Sequence, residues 1–452
     1  MKIPSKTFSE YAKFDSALCQ QIIGLGGLAA TTALRMSGRG AKALELETTL
    51  HRNAFSEFTN KIVERRVRKS IAQKESPLEG YVQSLVPQGS TQTLFDDPAR
   101  LLGQRILVIK SASPTEKGVL LLDYSFVFSL FARSFDVEKI TERYHLVLEP
   151  SWSGTCDRDV LALAGKRFPV FVQSNEPRDI EFLQRLDSNL IPLAIAANWW
   201  IDNRIFTPLR DVAKDADVFM NAAWAQFKRH DAFFNALAKL RNSGKKLRVI
   251  LVGYGMDMSR ADITGLAHSK GISDQIEFHE KLQPTQVNEQ LNRAKVNVIW
   301  SRREGSNRAF IEGMCADVPG ILREGFNYGH QYPYVNSTTG CFASETDLPR
   351  QLVDMTANPE RYRPREWVMG NMTPQIATDI IDQCIEQYSR DHNERWTTGQ
   401  LTVKVTSLNS MAYWDATDRA RFTADYDFLR SMLRHQPIRG AVQDNPANLT
   451  AS

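Results

Sequence analysis

The sequence predicts an α/β protein of two parallel-sheet domains facing a cleft, preceded by a helical extension. Three observations predict it. From about residue 104 to 323, short apolar runs alternate with helical stretches. A polar segment with a proline, residues 206–215 (FTPLRDVAKD), divides that alternation into two sets. Residues 1–95 lack such runs and are rich in Ala, Leu, Glu, Arg and Lys.

In the extension, Phe55, Phe58, Ile62, Val63, Val67 and Ile71 recur at helical spacing. The run 61–69 (KIVERRVRK) is basic. It reads first as a solvated helix face and second as a peripheral membrane or partner contact. Residues 84–97 carry Pro87 and Gly89, with Pro98 beyond, and read as a linker. The extension is therefore expected to be removable.

The first sheet domain is expected over 100–205. Its strands fall at 105–110 (RILVIK), 144–148 (YHLVL), 169–173 (PVFVQ) and 190–197 (LIPLAIAA), with helices near 123–134, 157–165 and 177–187. The second is expected over 216–365. Its strands fall at 217–222, 247–253, 275–278, 296–300 and 319–323, with helices near 229–242, 259–270, 284–294 and 307–316. Residues 366–452 read as a helical segment, with a long helix at 373–389, and a tail that frays over 440–452.

Composition narrows the function. A 42 % hydrophobic and 24 % charged chain of 452 residues fits folded, globular domains. A net charge of +4 argues against a dedicated nucleic-acid binder. Five scattered cysteines without a CxxC pair suggest neither a disulfide frame nor a zinc site, and a reducing cytoplasm fits them. The apolar stretch 22–33 is short and interrupted by glycine, so no membrane span is expected.

The sharpest signal is residues 301–320 (SRREGSNRAFIEGMCADVPG). A buried strand ends, a polar loop holds Glu304, Gly305, Ser306 and Asn307, and a helix starts with Arg308 close by. Glu312 lies just over one turn in, and Pro319 stops the helix. A helix N-terminus suits a phosphate, and flanking carboxylates suit sugar hydroxyls. Each residue also has a plain reading: Glu304 and Glu312 as surface acids, Lys228 as a solvated lysine, Tyr254 as packing. His145 and His279 read as structural, and Trp199–Trp200 as hinge packing.

The spacing of Glu304 and Glu312 in EGSNRAFIE, followed by GMCADVPGIL, resembles the donor-site signature of glycosyltransferase family 4, retaining enzymes of the GT-B fold. Lys228 in NAAWAQFKRHDAFFNAL resembles that family's diphosphate-binding lysine. The segment LRVILVGYG, with Gly253 and Tyr254, resembles its second strand and glycine turn. The segment IEFHEKL, with Lys281 and Leu282, resembles the strand whose loop contacts the base. The run 198–206 (NWWIDNRIF) resembles the interdomain crossing. Two departures stand out. The family's usual arginine five residues before the lysine is Ala223, and its glycine before the base loop is Glu280.

The resemblance implies transfer of a sugar from a nucleotide-sugar donor to a glycan or lipid-linked acceptor, with retention, in cell-surface polysaccharide synthesis. It implies Lys228 at the diphosphate, Glu312 at the ribose and Glu304 at the sugar, with no metal and no resident cofactor. Arg308, or Arg302 and Arg303, would replace the missing arginine. The expected acceptor loops are 111–118, 150–155 and 174–178. The location implied is the cytoplasm or the inner membrane face. The alternatives are a sugar-nucleotide epimerase or hydrolase on the same scaffold, and a catalytically silent binding or assembly protein.

Overall fold

The computed structural model describes residues 16–53, 56–72, 77–86, 91–151, 154–174, 176–325, 333–407 and 410–434. Pro87, Gly89 and the 440–452 tail lie outside them.

Among its described residues the extension includes the helices α1 (Ala17–Met36), α2 (Gly40–Arg52), α3 (Glu57–Ile71) and α4 (Pro77–Ser84). The stretch 22–33, expected to be short, is the middle of α1, a helix of 20 residues that is long and apolar enough to cross a membrane by length and composition. It is tied to its neighbours. Arg35 pairs with Glu47 at 2.6 Å, and Arg66 donates to Thr31 at 2.7 Å and Thr32 at 2.8 Å. Leu28, Leu44, Leu50, Val63 and Val67 are buried in the same core as the first sheet. The extension expected to be removable is thus continuous with the domain it precedes, because its helices alone offer too little apolar surface to close a core of their own.

The first sheet holds β1 (Ile106–Lys110), β2 (Gly118–Asp123), β3 (Tyr144–Glu149), β4 (Val170–Gln173) and β5 (Leu190–Leu193), lying side by side in that order. The strand β2, absent from the expected set, is buried along its whole length and pairs antiparallel with β1; the other pairs are parallel. Its connecting elements are α5 (Ser125–Ser134), α6 (Val137–Arg143), the single turn α7 (Arg158–Leu161) and α8 (Pro177–Leu186). Strands added in sequence order through crossovers of the usual hand stack their helices on one face. The opposite face must be covered from elsewhere, and the end of the chain covers it.

The second sheet holds β6 (Ala216–Asn221), β7 (Val249–Gly253), β8 (Ile276–Glu280), β9 (Ala294–Ile299), β10 (Gly320–Arg323) and β11 (Gly340–Ala343). All its pairs are parallel, and the order is β8-β7-β6-β9-β10-β11. The order reverses between β6 and β9, which makes the carboxyl ends of those two strands a topological switch point. Its helices α9 (His230–Asn242), α10 (Arg260–Ser269), α11 (Pro284–Arg293), α12 (Arg308–Cys315) and α13 (Leu348–Ala357) match the expected positions where the sequence reading named them. The dividing segment lies on α11, where Asn288 and Asn292 accept from the backbone of Thr207 at 3.1 Å and Leu209 at 2.8 Å.

After α14 (Pro364–Asn371) the chain returns to the first sheet. There α15 (Pro374–Asp391), the hairpin β12 (Lys404–Thr406) and β13 (Met411–Tyr413), and α16 (Thr423–Ser431) complete its core. Tyr388 and Trp396 meet His145 of β3, and Tyr413 donates to the carbonyl of Val108 on β1 at 2.8 Å.

Candidate functional site

A cavity of about 510 Å³ opens between the sheets, within the range of small-molecule sites. One wall is the switch point. The strand β9 delivers Trp300, Ser301, Arg303 and Glu304, β6 delivers Asn221, and the turn Gln226–Lys228 delivers Lys228. Asn307 caps α12 from a left-handed conformation (φ 35°), which turns the chain sharply into the helix. Close packing then fixes where the helix lies. A Cβ on Gly313 would stand 2.5 Å from the side-chain nitrogen of Asn297, which itself donates to the carbonyl of Ala309 at 2.9 Å. Only glycine lets α12 sit this near β9, so Glu312 enters the cavity at a set height.

On this wall Lys228 and Glu304 form an ion pair at 2.5 Å, and the Ser301 hydroxyl donates to the same Glu304 oxygen at 2.5 Å. Phe227 lies near two cations, with Lys228 at 5.1 Å and Arg303 at 4.9 Å from its ring centre. Glu312 accepts from Asn221 at 3.5 Å, and burial raises its carboxyl above the usual range despite the pull of Arg308 and that bond. The side chain of Asn307 is buried with neither amide atom hydrogen-bonded. Arg308 is exposed and lines the cavity, and so does the buried Ala223.

Of the residues singled out from sequence, Lys228, Tyr254, Glu304, Gly305, Ser306, Asn307, Arg308 and Glu312 line one cavity. Gly253 lies just beneath it: a Cβ there would stand 2.2 Å from the indole nitrogen of Trp224, so the strand end and this ring fit only with glycine. Lys281 and Leu282 do not line it. Lys281 donates from its backbone to the Gly253 carbonyl at 3.0 Å, and Leu282 packs into the second sheet's core.

The facing wall was largely missed. Asp123 and Glu149 end the parallel strands β2 and β3 and are paired in register. Arg105 donates to Asp123 at 2.8 Å, while Lys404, from the distant β12, pairs with Glu149 and stands 4.6 Å over the ring of Trp200. Burial, then the Glu149 charge, pushes the Asp123 carboxyl up to about 6 against the pull of Arg105 and Lys404. Its second oxygen, Oδ1, is buried without a hydrogen-bond partner. Burial lowers the Lys404 ammonium, with Glu149 opposing. Ser151, Ser407 and Ser410 complete this side.

The expected acceptor loops are corrected accordingly. Because β1 runs antiparallel to β2, the loop 111–118 lies at the far end of the sheet, where Ser111 donates to Asp425 at 2.7 Å. Of the described residues of 150–155 only Ser151 lines the cavity, and none of the described part of 174–178 does; residues 152–153 lie outside the described residues. Asn175 lies outside the described residues. Among the described residues no group of three His, Cys, Asp or Glu side chains is placed to hold a metal ion.

Two α/β layers of this kind, meeting at a switch point lined with a lysine, two glutamates and a helix N-terminus, define a GT-B type architecture. The sequence agrees in its second half: residues 216–357 match the family model described as glycosyl transferases group 1. The matched stretch contains the wall with Lys228, Glu304 and Glu312.

Several solved structures have a similar trace. Sucrose-phosphate synthase from Thermosynechococcus elongatus is 17 % identical, over 61 % of this chain and 74 % of its own, with a TM-score of 0.45. HepE of Anabaena in complex with UDP is 13 % identical, over 60 % and 79 %, at 0.46. The lipopolysaccharide outer core galactosyltransferase WaaB is 11 % identical, over 73 % and 82 %, at 0.44. No curated protein matches the chain.

Proposed function

We propose that this protein transfers a sugar from a nucleotide-sugar donor to a hydroxyl of a glycan or glycolipid, retaining the anomeric configuration, as in cell-surface polysaccharide synthesis. The observation that carries the reading is the cavity itself. The second sheet's wall brings Lys228, Arg308, Glu304, Glu312 and a helix N-terminus together, and the first sheet's wall faces it with Asp123 and Glu149, each paired with a cation.

In this reading the bond from the anomeric carbon to the diphosphate breaks, and negative charge gathers on the leaving oxygen. Lys228, the amides at the start of α12 and the Arg308 guanidinium stabilise it; preorganised charge of this kind is usually the largest catalytic contribution. Lys228 already has Glu304 as counter-ion, so an arriving diphosphate competes for the ammonium and frees Glu304 to accept from sugar hydroxyls. Glu312, beside Asn221, holds the ribose hydroxyls. The acceptor hydroxyl approaches along the first-sheet wall, beside Asp123, Glu149 and Ser151. As the new carbon–oxygen bond forms, the hydroxyl proton passes to the departing diphosphate. The diphosphate is neutralised by side chains and amides in this scheme, so it assigns no metal and no resident cofactor.

The test is a panel of UDP-, GDP- and ADP-sugars, read by calorimetry and by release of nucleotide with and without excess chelator. One donor should bind and turn over slowly in both conditions. Failure of every nucleotide sugar to bind would remove the reading, and turnover that vanishes with chelator and returns with magnesium would remove its metal-free form.

A further inference from the structure

We propose that α1 docks the protein onto an anionic membrane surface, lying in its plane with one face embedded. The inference is independent of the chemistry assigned to the cleft.

The helix has two unlike sides. Gly24, Leu28 and Thr31 face inward, and Arg35 at its end is held by Glu47 and by the hydroxyl of Ser70 at 3.0 Å. These bonds make α1 part of the fold rather than a loose span. The outward side carries Leu18, Ile22, Leu25, Ala29, Ala33 and Met36, spaced by three or four residues along one stripe. Leu18, Ile22, Leu25 and Met36 are exposed by 68 %, 61 %, 56 % and 86 %. On the neighbouring α3, Phe58 is 62 % exposed. Five of the ten exposed large apolar side chains among the described residues thus stand on these two helices; three of the others, Tyr124, Tyr254 and Met256, line the cleft. A stripe about 30 Å long of this character is rare on a surface facing only water.

Charge selects the partner. Along α1 to α3, Arg39, Lys42, Arg65 and Lys69 are exposed and have no ion-pair partner among the described residues. All four acidic side chains there are already paired: Glu45 with Arg158, Glu47 with Arg35, Glu57 with Lys61, and Glu64 with Arg185. An apolar stripe on a helical extension that also carries uncompensated cations matches the acyl layer and anionic headgroups of a membrane. Two copies of this chain meeting through the same face would instead set cation against cation.

The test is flotation of the full-length protein with vesicles of phosphatidylglycerol and phosphatidylcholine, and with phosphatidylcholine alone. Binding is expected to the anionic vesicles, to fall at least tenfold without phosphatidylglycerol, and to weaken at high salt. The double variant Ile22→Glu/Leu25→Glu should abolish it with an unchanged thermal melt. Arg65→Glu and Lys69→Glu, on the other helix, should each lower affinity about fivefold or more. Full-length protein left unbound by anionic vesicles overturns the proposal. So does binding that survives Ile22→Glu/Leu25→Glu, or a dimer in sedimentation that the double variant dissociates while vesicles capture nothing.

Discussion

The two sheets solve the same problem, burying both faces of a mostly parallel sheet, in opposite ways. In β8-β7-β6-β9-β10-β11 the order reverses in the middle, so helices within one continuous stretch of chain cover both faces and leave a crevice at the reversal. In β1-β2-β3-β4-β5 nothing reverses, so one face waits for residues beyond 373, and the carboxyl ends gain their polar partners from that late segment. A local solution puts a site's residues close together in sequence, whereas a borrowed one scatters them.

The strongest way to break this comparison is to end the chain after Met372. That removes eight buried apolar side chains from the first core: Ala377, Ile381, Ile385, Met411, Tyr413, Phe422, Tyr426 and Leu429. At roughly 1.5–3 kcal/mol for each fully buried large side chain, the loss reaches about 10 kcal/mol or more, as much as a whole domain's stability. Calorimetry should show one cooperative transition lost and the second sheet's retained. Two unchanged transitions would refute the borrowed face.

Lys404→Met sharpens it at a single contact. The variant leaves Glu149 buried and unpaired, at a cost of about 3–5 kcal/mol, and Lys404→Met/Glu149→Gln should recover much of it. Denaturant melts of the three proteins decide. Equal stability of the single and double variants would mean that the pair carries no such energy.

Asp123 adds a pH signature to the first sheet alone. Its carboxyl is raised in the fold from 3.8 to about 6, so the folded state holds the extra proton between those values. Stability from this group is therefore present at low pH and is lost as pH rises from about 4 to 6, by on the order of 2–3 kcal/mol. Asp123→Asn should remove that slope, seen as a difference between the two proteins' melts across the window. His145, held down to about 3 by burial, acts with the opposite sign in both proteins and cancels in the difference.

On the other wall, Glu312→Ala should weaken nucleotide binding by about 1–3 kcal/mol with the fold intact, the range for a lost hydrogen bond to a charged group. Unchanged affinity by calorimetry takes Glu312 out of the ribose site. The smallest effect is expected at Arg308. Arg308→Ala should slow turnover about tenfold, or ~1.4 kcal/mol, with partial recovery on adding Ala223→Arg. A silent Arg308→Ala, or no rescue, moves the second charge to Arg303, which lines the cavity, whereas Arg302 is buried outside its lining.

The same contrast explains what could be read in advance. Glu304 and Glu312 are joined by one loop and one helical turn, and Lys228 precedes them on the adjacent strand's turn; local geometry holds them together, so residue spacing carries the information. Asp123 and Glu149 carry no such signal. Each is a lone acid at the end of an apolar run, and only strand pairing sets them side by side. Lys404 reaches them from 255 residues beyond Glu149, on a hairpin with no pattern of its own. The missed β2 had the same effect on a larger scale: without it, β1 reads as parallel and the loop 111–118 falls at the wrong end of the sheet. The linker at 84–97 misled in another way. A composition change marks where the polypeptide leaves one layer, and it does not say whether the layers can part, as Val63, Val67 and Leu78 buried in the sheet's core show.

The returning C-terminal segment also sets an order of assembly. On the ribosome, the first sheet emerges early with one face bare, including Phe171 and His145, which later meet Tyr388. The second sheet emerges afterwards yet has everything it needs once residue 372 is out. The middle of the chain can therefore finish before its beginning, against the usual N-to-C sequence of domain folding. Until α15 and α16 arrive, the nascent first domain holds an apolar surface open to aggregation, for as long as it takes to synthesise some 230 residues beyond β5.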